Sequence, residues 1–509
     1  MELFSVLSFI FLLIFLYHYF YSSGNNTGFK NYPIVGTLPE IIKNSHRFLD
    51  WEAEVLANCP TNTAVLHLPG KTRVITANPL NVDYILRTNF ENYSKGEEYL
   101  FLLEDFLGRG IFNSDGKLWK VQRKLASYEF NSKSLKNFFM EKVVMEIKTR
   151  LLPLLEKAAE KGLVLDMQNV VEKFSFDNIC ELAFSFDPGC LGADGSSHPG
   201  VEFMKAFQDA GELIASRYRY FNPSIWKLKR FFNIGSERSL RESISTVDKF
   251  IYDIIRPRID QANEEDNKEK ADLLSRYIES NIENGSPEFL RDVMINTIEA
   301  GQGSTGSALS WFFWVLSSRK DTQEKILNEL KTIRARNGTD IGETFSYEEL
   351  RDMQYLHAAF LESMRLYSPL PVNTRKCEND DVMPDGTFVK KGWFVSYDNY
   401  AMARLERIWG KNCAEYYPER WLDEDGVCRQ ESPCRYVVFH AGPRICPGKE
   451  MAYIQMKAVA ASIIERFEIS KLQDKEKLSG GHLMSLSFRI QGGVPVTVRK
   501  RLWGEEILE

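Results

Sequence analysis

Phe439-His440-Ala441-Gly442-Pro443-Arg444-Ile445-Cys446-Pro447-Gly448 satisfies the pattern F-x-x-G-x-R-x-C-x-G at every fixed position. Across the whole chain, a match to five fixed residues arises by chance on the order of once in ten thousand sequences of average composition. The pattern also makes physical sense. Gly442 and Gly448 let the backbone fold tightly around the Cys446 sulfur, so that peptide N–H groups point at it and tune its electron donation to a metal. Arg444 adds a positive charge suited to a carboxylate. A plain buried cysteine in a glycine-rich turn is the alternative, and the rest of the chain decides between them.

The 509 residues are 44% hydrophobic and 26% charged, an ordinary globular composition with ample apolar material for a core. The net charge of −6 provides no basic field, which argues against nucleic-acid binding. The eight cysteines are too dilute for a disulfide scaffold and none forms a CxxC pair, so a reduced, cytosol-facing body is expected.

Leu3 to Tyr21 is almost wholly apolar and as a helix would extend roughly 28 Å, close to a bilayer core of about 30 Å. It starts after Met1-Glu2 and ends in Tyr17, Tyr19, Phe20 and Tyr21, unlike a cleaved signal peptide, so an uncleaved anchor is expected. Lys30 beyond the apolar run and Glu2 before it place the body on the cytoplasmic side. The expected organisation is an anchor over 1–21, a proline/glycine turn linker over 22–45 that includes Pro33, Gly36 and Pro39, and a single domain over 46–509.

Helical periodicity runs through Leu135 to Lys161, Arg241 to Ile255 and Phe289 to Ser318. Strand-like alternation is confined to Thr63 to His67, Arg73 to Thr76, Gly392 to Tyr397 and Val494 to Val498. The fold class is therefore mainly α with small β-sheets. Asn263 to Lys270 reads as a solvated charged loop. Arg217 to Phe232 mixes five basic residues with Tyr218, Tyr220, Phe221, Trp226, Phe231 and Phe232, which suits either a membrane surface or a solvated connection.

The cysteine loop resembles the haem-binding signature of the cytochromes P-450, and other motifs extend that resemblance over essentially the whole chain. Glu362-Ser-Met-Arg365 resembles the family's E-x-x-R helix, and Pro418-Glu-Arg420-Trp421 its P-E-R-F/W segment. Together they suggest a structural network in which the Glu362 carboxylate pairs with Arg365 and Arg420. Trp119 and Arg123 resemble the W-x-x-x-R motif, whose spacing puts both side chains on one helix face. Arg375, after the turn Ser368-Pro-Leu-Pro371, is a further candidate for the haem. The segments Gly108 to Gly116 and Tyr400 to Arg404 look more specifically like the plant clan of fatty-acid omega-hydroxylases.

The resemblance implies a cytochrome P-450 fold preceded by an N-terminal transmembrane helix, single-pass in the endoplasmic reticulum membrane. It implies haem b with Cys446 as thiolate ligand, and contacts from Trp119, Arg123, Arg375, Phe439, Gly442, Arg444 and Gly448. It implies dioxygen activation with electrons from an NADPH-cytochrome P-450 reductase; no strand–GxGxxG–helix unit for NADPH is found here. The implied substrate is a lipid hydroxylated at its terminal carbon: a fatty acid first, with a sterol side chain or a jasmonoyl-amino acid conjugate as alternatives. Phe112, Ala300, Val372 and Leu486 are its expected neighbours. A peroxide isomerase or dehydratase that needs no reductase is the rival of another class. The chain departs from the family at Ala300-Gly-Gln-Gly-Ser-Thr305, where A-G-x-D/E-T-T is usual, so Gly303 replaces the acid and Ser304 the alcohol, with Thr305 beside them. Glu299, four residues before Gly303 on the same face, offers a carboxylate instead.

Overall fold

The computed structural model describes Leu12 and residues 28–192, 198–220, 222–262, 272–280, 282–472 and 481–502. Apart from Leu12, the apolar stretch Leu3 to Tyr21 lies outside them, as do Phe221 and the charged stretch Asn263 to Lys270. Among the described residues no helix is long and apolar enough to cross a membrane. The protein is mainly helical with small sheets, grouped into two compact units. One comprises the chain up to Gly96 with Leu370–Tyr416 and Glu431–Cys446, and the other comprises Glu97–Pro369, Tyr417–Gln430 and the chain from Pro447 onward.

The first unit is built on a five-stranded sheet ordered Thr63–Leu68, Lys71–Thr76, Phe394–Asp398, Val372–Cys377 and Tyr93–Ser94. Lys71–Thr76 and Phe394–Asp398 pair in parallel, the other neighbours antiparallel. The proline/glycine turn closes through reciprocal 2.9 Å bonds between Tyr32 and Gly36, and Gly36 has φ +60° with the His67 carbonyl 2.2 Å from where a Cβ would stand. Glu52, on the helix Phe48–Asn58, and Asp398 are both fully buried, and neither Glu52 Oε2 nor Asp398 Oδ2 meets an N–H donor. A proton shared between the two carboxyls satisfies both oxygens. Burial and the adjacent Asp398 hold the Glu52 carboxyl well above the usual range, and burial pushes Asp398 up to about 7.

The second unit is organised around the helix Pro287–Leu316, about 45 Å long at 1.5 Å per residue. Ser286 Oγ caps it by accepting from Phe289 N at 3.2 Å, and Pro287 stands at its first position, where a missing N–H costs nothing. The helix packs along Met167–Phe184, and Trp311 stacks on Tyr367 at 4.3 Å while its indole donates to the Phe488 carbonyl at 3.0 Å. The helical run from Lys133 to Lys161 is continuous, with one widened turn at Ile147–Leu151 just before Pro153, which has no N–H to give. A three-stranded antiparallel sheet, Val164–Asp166, Pro495–Lys500 and Phe467–Lys471, and the pair His482–Met484 and Phe488–Ile490 complete it.

Glu362, on the helix Gln354–Leu366, is entirely buried and receives five donors. Arg365 binds it with two nitrogens, each at 2.8 Å, and Arg420 Nε reaches it at 3.2 Å. The Trp421 indole at 2.9 Å and the Tyr417 backbone N–H at 3.0 Å complete the set.

Two predictions follow from these buried acids. Glu362→Gln leaves two guanidinium groups without their countercharge and is expected to lower unfolding stability by about 3–5 kcal/mol, read from denaturant curves at constant m. For the Glu52–Asp398 pair the folded pKa values are raised, so its contribution is full below the unfolded carboxylate value and is lost as pH rises through about 7 and beyond. Glu52→Gln keeps a donor to Asp398 without the second ionisation, so its melting temperature should gain on the wild type between pH 7 and 9 and match it near pH 5. Parallel curves would show that no proton is shared.

Candidate functional site

The cysteine loop lies in the first unit as two short 3₁₀ turns, Val437–Phe439 and Gly442–Arg444. Cys446 N–H donates back to the Phe439 carbonyl at 2.8 Å, which closes the loop on itself. Gly442 has φ +63°, and a Cβ there would lie 1.9 Å from the Leu86 carbonyl oxygen, so no other residue fits. Gly448 has φ −86° and precedes the helix Lys449–Arg466, so the left-handed freedom expected of both glycines is needed at Gly442 alone. Phe439, Arg444 and Cys446 are half-buried.

Around this loop the first unit gathers positive charge. His440, held at φ +59°, has its Nδ1 2.9 Å from the Tyr397 hydroxyl. Scarce water around the ring, with Arg375, Lys95 and Arg444 nearby, pushes the His440 pKa down to about 3, so the imidazole is neutral. Arg375 is 2% exposed. Its Nη1 donates to its own neighbour's carbonyl, Thr374 O, at 2.9 Å; its Nε has no partner, and no carboxylate pairs with it among the described residues. A buried guanidinium without an acid is costly unless a ligand supplies the anion. The residues therefore fit a group carrying carboxylates beside a thiolate-bound metal, as haem does. Val372 begins the same strand and by alternation lies on the face opposite Arg375.

In the second unit, Trp119 (buried) and Arg123 (half-buried) share a face of the helix Gly116–Asn131. The long helix is buried over most of its length, but Thr297, Ala300, Gly301 and Ser304 form an accessible strip in its middle. Ser304 Oγ donates to the Ala300 carbonyl at 2.5 Å, and Thr305 is buried beside the strip. Gly303 is buried too, and a Cβ there would stand 3.0 Å from Glu299 Oε1 and 3.3 Å from Ser487 Oγ. An aspartate at position 303 would thus crowd Glu299 rather than replace it. Glu299 is half-buried where water is scarce, and its pKa is pushed up to about 7.

The segment before Trp119 is laced to this helix. Asp292 accepts from Arg109 N at 2.7 Å, and Asn296 both accepts from Phe112 N at 2.9 Å and donates to Leu107 O at 2.8 Å. Side chains at Gly108 or Gly110 would overlap Asp292 or Asn296 at about 2 Å, so the glycines are there for close approach. The lacing sets the Phe112 backbone one turn from Ala300, while Leu486, next to Ser487 in the hairpin beyond, lies 3.6 Å from the Cβ position of Gly211 on the helix Pro199–Ser216. Asp292 and Asn296 were not among the expected site residues; their i, i+4 spacing opposite a paired-glycine loop was the available signal. Of the four expected substrate neighbours, Phe112, Ala300 and Leu486 belong to this unit and Val372 to the other.

The Cytochrome P450 family model matches residues 27–492. The chain is 49% identical to Cytochrome P450 CYP94D108 of Paris polyphylla over 92% of this chain and 91% of that protein. It is 42% identical to Cytochrome P450 94A2 of Vicia sativa over 94% and 93%, and 42% identical to Cytochrome P450 94C1 of Arabidopsis thaliana over 89% of each. With the glycine-framed cysteine loop, the acid-deprived Arg375 and the Glu362 network in place, these matches show that the chain belongs to the cytochrome P450 family of haem-thiolate monooxygenases.

Proposed function

We propose that this chain hydroxylates the terminal carbon of an aliphatic lipid chain, a fatty acid first among them, using dioxygen and electrons from NADPH passed on by a separate cytochrome P-450 reductase. The observation that supports this reading is the accessible strip at Thr297, Ala300 and Ser304, bordered by Phe112 and Leu486, on an otherwise buried helix. The strip's side chains are small and the Thr297 and Ser304 hydroxyls donate to the helix's own carbonyls at 2.9 and 2.5 Å, which leaves a surface that suits a hydrocarbon chain. In this proposal Cys446 is the thiolate ligand, and Arg375 and Arg444 hold carboxylates of haem b. Haem, when bound, supplies the oxidation of a C–H bond. The protein's residues place that bond and exclude water. Ser304, its hydrogen committed to Ala300 O, presents lone pairs that accept a hydrogen bond.

The proposal includes attachment to the endoplasmic reticulum membrane through 1–21, with the catalytic body on the cytoplasmic side. Of the aromatic, basic stretch at 217–232, Arg217 and Trp226 turn inward: Arg217 pairs with Asp105 at 2.7 Å and Glu237 at 2.6 Å, and its guanidinium lies 4.4 Å from the Trp226 ring. Ile225, Leu228, Phe231 and Phe232 of the helix Pro223–Phe232 remain exposed beside Lys227, Lys229 and Arg230, the composition of a surface that lies on lipid.

The test is incubation with NADPH, reductase and a panel of fatty acids, sterols and jasmonoyl-isoleucine, with products followed by mass. Gain of one oxygen by a fatty acid only when NADPH is present is expected; turnover of a fatty hydroperoxide without NADPH would instead make it an isomerase. Cys446→Ser is expected to abolish the carbon-monoxide band of thiolate ligation, because a serine hydroxyl is scarcely ionised at neutral pH. Ser304→Ala is expected to lower product formed per NADPH and to release more peroxide, both read in the same assay.

A further inference from the structure

The carboxyl of Glu299 takes part in no ion pair and no hydrogen bond among the described residues, although it lies beside the accessible strip of the long helix. Its surroundings are small or apolar apart from the Ser487 hydroxyl, whose Oγ lies 3.3 Å from the Cβ position of Gly303. Oε1 lies 3.0 Å from the Cβ position of Gly303, and Oε2 lies 3.9 Å from that of Gly211, on the helix Pro199–Ser216. Leu486 comes within 3.6 Å of the same Gly211 position. No cation acts on the group, and scarcity of water alone raises its pKa. Nearby acids are treated differently: Glu172 receives Arg489 with two nitrogens at 2.7 and 2.8 Å, and the same arginine also pairs with Glu212. Glu172 is thus neutralised by a guanidinium, and Glu299 is not.

A carboxyl without a protein partner at the edge of a strip of small side chains is costly for folding and useful for recognition. It repels an anionic end of a ligand, gives a bare hydrocarbon nothing, and rewards a hydroxyl that donates to it. We propose that Glu299 is a specificity-determining residue that accepts a hydrogen bond from a hydroxyl on the otherwise apolar part of a substrate lying along the Ala300 strip. The inference rests on reading that strip as the substrate's place, and it narrows the substrate class from plain chains to hydroxylated lipids. A straight-chain alcohol and a polycyclic alcohol share this chemistry.

The experiment is equilibrium dialysis of the full-length haem protein in detergent with two matched pairs, dodecan-1-ol and 1-methoxydodecane, cholesterol and its 3-methyl ether. Each ether keeps the acceptor and loses the donor. In the wild type at least one alcohol should bind about tenfold more tightly than its ether. The pair that discriminates identifies the skeleton. Glu299→Gln, which retains an acceptor oxygen, should keep most of that preference, and Glu299→Leu should erase it. Equal affinities within both pairs, or a preference that survives Glu299→Leu, overturns the proposal. So does a Glu299→Leu protein whose affinities are unchanged while peroxide release rises, since the carboxyl then carries protons instead. Dialysis reads binding without turnover, so an alcohol preference in a protein that fails to oxygenate any substrate would remove the reaction reading and leave this one standing.

Discussion

The Glu362 carboxylate is the constraint on which the second unit depends. A buried anion needs every lone pair occupied, and here two guanidinium groups, an indole and a backbone N–H converge on it from segments more than fifty residues apart in sequence. Neither the helix Gln354–Leu366 nor the turn Pro418–Trp421 can shift without uncovering charge. The effect reaches further. Phe360 on that helix stacks on Phe312 of the long helix at 4.0 Å, and Tyr367 just beyond it stacks on Trp311. The accessible strip at Ala300 is therefore held by a helix whose lower half is clamped to an ionic centre it never touches.

Charge is distributed in two opposite ways. In the first unit Arg375 is a buried cation without an acid among the described residues, and His440 is kept neutral by scarce water first and by the positive groups around it. In the second, Glu362 and Glu172 are met by arginines, and Glu299 has no such partner among the described residues. Unsatisfied charge of one sign beside the cysteine loop is suited to a ligand's carboxylates, and a lone acceptor on the strip is suited to a ligand's donor.

The cysteine loop was legible in the sequence because its function requires particular residues at consecutive positions. The helix Pro287–Leu316 was legible because its apolar character persists over thirty residues, and the expected bounds, Phe289 to Ser318, differ by two at each end, where the Ser286 cap and Pro287 set the start. The Glu362–Arg365 pair was visible as an i, i+3 spacing, but the Trp421 indole and the Tyr417 N–H were not, since they meet the carboxylate only through the tertiary fold. The parallel pairing of Lys71–Thr76 with Phe394–Asp398 joins segments over three hundred residues apart and leaves no mark in either strand's alternation. Gly448 illustrates the converse: the pattern is met, yet the backbone there has an ordinary conformation.

The loop that carries Phe112 is fastened to the long helix by main-chain atoms on its own side and by Asp292 and Asn296 on the other. None of those bonds involves the side chain at position 112 itself. The loop's place is thus indexed to the helix independently of what that residue is, and a larger or smaller side chain there would change the shape of the strip's border while the frame stayed still. Fixing and shaping are done by different atoms, so a change at position 112 alters the border without reopening the question of how the chain folds.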